Sequence, residues 1–320
     1  MLKAKKAYSL VELSVVITIM SILMMGVASI VSNSMKKAQK NETQEKIQII
    51  YNAMGKFLLS NKRLPCPARL NLAESSAGYG NAADACVAVP GGIFTDNNNN
   101  FFVGAVPTTA LALPSDMAKD EFGNKITYIV SKNATIATAL ETAKSPAIFP
   151  LNDTGFGATS YTTQMLTVLE YSNRSITTNA ILALISHGNN KNCAYPANST
   201  SANSACPIND EITNSRDKYT NTPNTSIIYS STNPNFDDIV LFKTKNQIAS
   251  DFNAHHLVLC SADNNTYPNN YYERTVGGTA RTTPQILFYE QNLFHTSSGN
   301  SCQLICGKYG KLFQSKSNCP

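Results

Sequence analysis

The chain has 320 residues, 42% of them hydrophobic and 15% charged, which suits one sizeable folded domain plus a smaller one and excludes a disordered polyelectrolyte. Its net charge of +5 is uneven, because Lys3, Lys5 and Lys6 supply three of those five charges ahead of the first apolar run. The remainder is close to neutral, so nucleic acid is not an expected partner.

From Leu10 to Val31 the sequence is almost continuously apolar, with no proline and one carboxylate, Glu12. As a helix this run rises about 33 Å, enough to cross a hydrocarbon core of about 30 Å. The preceding lysines predict an N-in orientation, which puts the rest of the chain in the periplasm or outside the cell. No small-x-small cleavage site follows and helical patterning continues, so the segment reads as retained, not removed as a secretory signal. Burying Glu12 in lipid costs about 2.5 to 3.5 kcal/mol on insertion scales unless a partner or the interface relieves it. The bland alternative is a plain signal anchor whose glutamate snorkels to the surface.

Apolar residues then recur at Ile47, Ile50, Tyr51, Met54, Phe57 and Leu58, a spacing of three and four that places them on one helical face. The pattern predicts a single rod from about Ser9 to Asn61, ended by Leu64-Pro65-Cys66-Pro67.

Lys5-Lys6-Ala7-Tyr8-Ser9-Leu10-Val11-Glu12-Leu13 and the apolar run behind it resemble the prepilin cleavage and methylation motif of type IV pilins and type II secretion pseudopilins. The resemblance implies cleavage between Ala7 and Tyr8 by a prepilin peptidase and N-methylation of Tyr8. Ala7 departs from the family's usual glycine. The resemblance also implies that Glu12 pairs with the free amine of a neighbouring subunit, so that two charges otherwise stranded in lipid neutralise one another. Other pilin or pseudopilin subunits, an inner-membrane assembly platform and membrane lipid are the implied partners.

Beyond Pro67 the apolar runs are short, β-branched and bounded by turn formers. Strands are expected at 126–130, 165–171, 181–186, 239–243, 256–260 and 286–289. The expected fold is α+β and pilin-like, a long helix with a transmembrane first half packed on an antiparallel sheet, with a cysteine-containing C-terminal extension. The expected segments are a basic leader (1–7), a transmembrane helix (8–32), its amphipathic continuation (33–62), a globular domain (63–250) and a disulfide-tied extension (251–320). Arg63-Leu64-Pro65-Cys66-Pro67-Ala68, Asp120-Glu121-Phe122-Gly123-Asn124-Lys125-Ile126-Thr127-Tyr128, Ile185-Ser186-His187-Gly188-Asn189-Asn190 and Phe236-Asp237-Asp238-Ile239-Val240 are similar to segments of pilin-like proteins. The stretch 194–235, rich in Asn, Ser, Thr and Pro, reads as a long excursion.

All eight cysteines (Cys66, Cys86, Cys193, Cys206, Cys260, Cys302, Cys306 and Cys319) follow the apolar run, as an oxidising, extracytoplasmic compartment favours. Connectivity stays open, with Cys66 to Cys86 and Cys193 to Cys206 the local closures. Cys302 and Cys306 near His295 are the nearest approach to a zinc site, and Asp96-Asn97-Asn98-Asn99-Asn100 resembles a calcium loop without its turn glycine or terminal glutamate. The expectation is no metal and no cofactor, with calcium the one possibility. Ser186-His187 and His255-His256 are consecutive strand residues facing opposite ways, so neither forms a catalytic or metal pair, and no enzymatic activity is expected. The reading is a membrane-anchored structural subunit, of the minor class, in a type IV pilus or a type II secretion pseudopilus. The alternative is an anchored adhesin or DNA-uptake minor pilin binding a ligand through its loops.

Overall fold

In the computed structural model the chain begins as one helix, α1 (Leu10–Asn61), of 52 residues. At 1.5 Å per residue it is about 78 Å long. The structure describes residues 9–61, 63–82, 86, 92–95, 101–135, 138–139, 146–147, 166–170, 174–203, 210–215, 226–231 and 235–254, with the strand segments 259–262, 271–272, 285–288, 292–297, 300–306 and 312–314.

The two halves of α1 differ in what surrounds them. From Leu10 to Met24 the described apolar side chains are all exposed, Leu10 at 86% and Met24 at 70%. Among the described residues no helix is long and apolar enough to cross a membrane; the side chains of Leu23 and residues 25–30, inside the apolar run, lie outside that description. In the second half Ile47, Ile50, Tyr51, Met54 and Leu58 are buried. Burying each such side chain contributes about 1.5 to 3 kcal/mol.

Their partner is a seven-stranded sheet. Its strands are β1 (Phe94–Thr95), β2 (Phe101–Ala105), β3 (Thr127–Ser131), β6 (Leu166–Glu170), β7 (Arg174–Ser186), β8 (Ser226–Ser230) and β9 (Ile239–Thr244). A separate small pair, β4 (Thr138–Ala139) and β5 (Pro146–Ala147), lies between β3 and β6 in sequence. The order is β1-β2-β3-β7-β6-β8, with β9 also on β7. Alternation decides the faces: Phe102, Tyr128, Val130, Leu182 and Leu184 pack with α1. Phe101, Val103, Ile129, Ala183 and Ile185 turn the other way and pack with Leu166, Val168 and Ile227 of β6 and β8. The β7–β9 register slips at Ile181, a bulge that turns both Ile181 and Leu182 toward the helix cluster.

Two expectations change here. The sheet is not wholly antiparallel, because β8 runs parallel to β6. The stretch 194–235 is not all excursion, since it supplies β8 and the buried Tyr195 and Ala197. The short run Ile227-Ile228-Tyr229 carries the strand signal, which the surrounding polar residues mask.

Among the described residues, several joints hold the helix to the head. The turn at 119–124 is pinned by Lys46 to Glu121 (2.5 Å), by Gln39 donating to the Glu121 carbonyl and by the Glu121 N–H donating to Thr43 Oγ1. Tyr51 donates to Asp251 at 2.7 Å, on the short helix α2 (Lys245–Asp251), which Thr244 caps together with Gln247. Gly55 permits the ring of Phe252 to lie against α1, where any Cβ would collide with it. After α1, Tyr128 donates to the Pro65 carbonyl and Cys66 is disulfide-bonded to Cys86.

The tail forms a two-stranded pair, β10 (Leu259–Ala262) with β12 (Gln285–Phe288). It also forms a four-stranded sheet of β11 (Tyr271–Tyr272), β13 (Asn292–Ser297), β14 (Asn300–Cys306) and β15 (Leu312–Gln314). That is more strand than the two segments expected.

Met54→Ala is expected to destabilise the protein by about 2 to 5 kcal/mol through a cavity under the sheet. Ile49→Ala, on the outward side of the same helix, should change stability by no more than about 0.5 kcal/mol. Urea unfolding of the full chain in detergent checks both, and equal midpoints would overturn this packing.

Candidate functional site

Among the described residues, two places that gather groups capable of chemistry are the start of α1 and the end of the sheet where β7 stops and β9 begins. At the first, the Val11 N–H donates to Ser9 Oγ at 3.3 Å and the Ser9 N–H donates to Glu12 Oε2 at 2.9 Å. Ser9 is thus the N-cap of α1, and Glu12, three residues on, reaches back as in a capping box. Its negative charge also suits the positive end of the helix dipole. The side chains are exposed. Ala7 and Tyr8, the expected cleavage pair, lie outside the described residues.

At the second place, Gly188 follows β7 with a φ of 63°, and an added Cβ would strike the Asp237 carboxylate. Only glycine meets both conditions without strain. The close approach lets Asp237 Oδ2 accept from the N–H groups of Asn189 (2.7 Å) and Asn190 (2.9 Å). Glu211, on a 3-10 turn at Asp210–Asn214, accepts from Asn190 Nδ2 and Asn192 Nδ2, both at 2.7 Å, and from the Asp237 N–H at 3.1 Å. Asp238 Oδ2 accepts from Asn214 Nδ2 at 2.8 Å. Asn214 also bonds both the carbonyl and the N–H of Ile228, tying the turn to β8.

One carboxylate oxygen from each of Glu211, Asp237 and Asp238 lies within 4.8 Å of the others. Were all ionised, each pair would repel by about 3 kcal/mol or more at an effective dielectric near 20. Burial pushes the Asp238 carboxyl well above the usual range, and the charges of Glu211 and Asp237 add to that, against the Asn214 hydrogen bond. Burial also raises Asp237, opposed by the Asn190 and Asn189 N–H groups and assisted by Glu211. His187 is no counter-charge, since burial lowers its pKa to about 4. Asp237 Oδ1, Asp238 Oδ1 and His187 Nδ1 have no hydrogen-bond partner.

His187 Nε2 sits 3.1 Å from Thr127 Oγ1, and its Nδ1 lies 3.8 Å from Asp238 Oδ1. A hydroxyl, an imidazole and a carboxylate therefore stand in a row. Thr127 is 4% and His187 2% exposed, so a substrate has no approach to the hydroxyl. Ser186 goes elsewhere, donating to Asp120 Oδ2 at 2.6 Å, as strand alternation requires. Asp120, raised by burial, is held by Ser186 and by the N–H groups of Asn124 and Phe122. A groove between α1 and β9, lined by Gln44, Ile47, Gln48, Tyr229, Phe242 and Gln247 among others, offers amides and apolar surface.

Of the cysteines, Cys66 and Cys86 are brought together with a Cα separation of 5.2 Å, and Cys193 is disulfide-bonded as well. Cys206, Cys319, Asp96 to Asn100 and His255-His256 lie outside the described residues, as do the side chains of Cys260, Cys302, Cys306 and His295. The backbone still rules on zinc: Cys302 and Cys306 lie four residues apart on the extended β14. Their Cα atoms are thus about 13 Å apart, too far for one tetrahedral zinc with bonds of about 2.3 Å. Sequence reading missed Glu211 as a site residue altogether. The available signal was the acid pair Asp237-Asp238 facing the turn Gly188-Asn189-Asn190, but nothing in the spacing announces Glu211.

Residues 2–28 match the prokaryotic N-terminal methylation motif, the signature of type IV pilins and pseudopilins. No curated protein and no solved structure matches the chain.

Asn214→Ala should cost about 2 to 4 kcal/mol, because it strands the buried amide groups of Ile228 and an oxygen of Asp238. Chemical unfolding of the full chain checks this, and an unchanged midpoint would show that the Asp210–Asn214 turn does not depend on that link.

Proposed function

We propose that the chain is a membrane-anchored structural subunit of a type IV pilus or type II secretion pseudopilus, assembled through its N-terminal helix. The observation that carries this reading is the match of residues 2–28 to the methylation motif, at the head of a helix whose first half exposes apolar side chains. A helix apolar all round needs lipid or other helices about it. The run from Leu10 to Val31 supplies the length for a bilayer, and a neighbouring subunit supplies the alternative cover after extraction into a filament.

In this reading a prepilin peptidase cuts between Ala7 and Tyr8 and the Tyr8 amine is methylated. Glu12, already on the first turn beside Ser9, is positioned to take the cationic amine of a neighbour, exchanging a backbone hydrogen bond for an ion pair. The globular part sits on the periplasmic side until assembly by the inner-membrane platform carries it outward. The chain acts mechanically, and no cofactor takes part in assembly. The head makes up most of the 320 residues, which favours a minor subunit over the repeating one.

Glu12→Ala should leave membrane insertion intact and reduce incorporation into filaments about tenfold or more, because an unpaired buried charge costs about 3 to 5 kcal/mol. Quantifying the subunit in membranes and in sheared filaments checks this, and equal incorporation of variant and parent would remove the role of Glu12. N-terminal sequencing of the membrane-extracted protein should begin at a methylated Tyr8. A chain starting at Met1 in assembled filaments, or a soluble product trimmed beyond Val31, would overturn the reading.

A further inference from the structure

We propose that the Cys66–Cys86 bond is a site of directional thiol–disulfide exchange, at which a small thiolate of the glutathione class attacks Cys86 and Cys66 departs as a thiolate held by Arg63. The bond ties the segment carrying Cys86 to the end of α1, so exchange there sets one joint of the head by redox state.

The two sulfurs sit in unlike surroundings. Arg63 Nη1 donates to Cys66 Sγ at 3.5 Å, and a guanidinium beside a sulfur favours thiolate over thiol. Cys86 Sγ instead lies 3.7 Å from the Thr135 carbonyl oxygen, a negative dipole end that disfavours a developing charge. The same Nη1 also donates to the Thr135 carbonyl at 3.4 Å and the Leu64 carbonyl at 3.5 Å, which fixes the guanidinium in place. Burial of Cys66, 3% exposed, works against a charge there, and the Arg63 contact is what offsets it.

Access favours the same direction. Cys66 is buried and Cys86 only partly so, which leaves Cys86 Sγ the more reachable target. Cys86 also holds a φ of 44°, in the left-handed region that a residue with a Cβ seldom adopts, and opening the bond frees it to leave.

The exchange balances without a metal or cofactor. The attacking sulfur bonds Cys86 Sγ, the Cys66–Cys86 bond breaks, and its electron pair stays on Cys66 Sγ beside Arg63. A second thiolate then attacks the mixed disulfide at the reagent's sulfur and frees Cys86. Two thiols become one disulfide and supply the two electrons that reduce the bond. Tyr128 still donates to the Pro65 carbonyl and the Leu64 N–H to the Ala134 carbonyl, so opening releases one joint and leaves the end of α1 seated. None of this depends on filament assembly.

The test exposes the oxidised full chain, in detergent micelles at about pH 8, to reduced glutathione, quenches early with excess N-ethylmaleimide and maps both cysteines by mass spectrometry. Chains with glutathione on Cys86 and maleimide on Cys66 should outnumber the reverse by about tenfold or more. Arg63→Gln should slow opening about tenfold and erase the preference, and Arg63→Lys should restore most of the rate. In Cys86→Ser, alkylation of Cys66 by iodoacetamide reports its thiolate, and adding Arg63→Gln should move the midpoint of that pH profile upward, which a merely structural arginine would not do. If Arg63→Gln does not fold, the adduct map of the parent decides. Equal or reversed adducts in the parent, no opening of its bond by glutathione, an undiminished rate in Arg63→Gln or an unmoved midpoint would each overturn the proposal.

Discussion

The head keeps its form because one stripe of α1 is withdrawn from water. Ile47, Ile50, Tyr51, Met54 and Leu58 meet Phe102, Tyr128, Val130, Leu182 and Leu184 across the helix–sheet interface. Everything else is placed relative to that contact. The 119–124 turn is pinned to α1 by Lys46, Thr43 and Gln39, and the same turn supplies Asp120, which holds Ser186 at the end of β7. The acid cluster therefore stands on a strand whose position is set by the helix stripe.

The upper half of α1 follows the opposite rule. Its described apolar side chains, from Leu10 to Met24, are exposed, so the same physics that closes the head leaves a rod requiring an outside environment. Propagating one helix through both regimes needs no break, because backbone hydrogen bonding is indifferent to whether lipid, water or a sheet surrounds it. Glu12 reconciles the polar start with the apolar body by capping the first turn through Ser9.

The two faces of the sheet carry separate apolar clusters, one packed on α1 and the other formed among β2, β3, β6, β7, β8 and β9. This explains why β2 and β3 are buried throughout and read as continuous apolar runs in place of a clean alternation. β7 is exposed in its first half and buried in its second, since only the latter is sandwiched between β3 and β9. The parallel β6–β8 pair forms because a polar, turn-rich stretch brings β8 back from a long way along the chain.

Local pattern determined a good deal by itself. The long helix and its end at Leu64-Pro65-Cys66-Pro67, the buried stripe on its second half, the strands near 126, 166, 181 and 239, the opposite facing of Ser186 and His187, and the methylation motif were all legible. Each rests on periodicity or on backbone chemistry that neighbouring residues carry. What only the tertiary structure decided depends on distance in sequence. β8 hides among polar residues because its burial comes from β6, and the bulge at Ile181 is imposed by pairing with β9. Glu211 becomes a neighbour of Asp237 and Asp238, 26 and 27 positions away, only when the Gly188 turn and Asn214 fold the excursion back onto the sheet. Side chains so placed are invisible to local pattern, because a distance set by the fold leaves no mark on spacing in sequence.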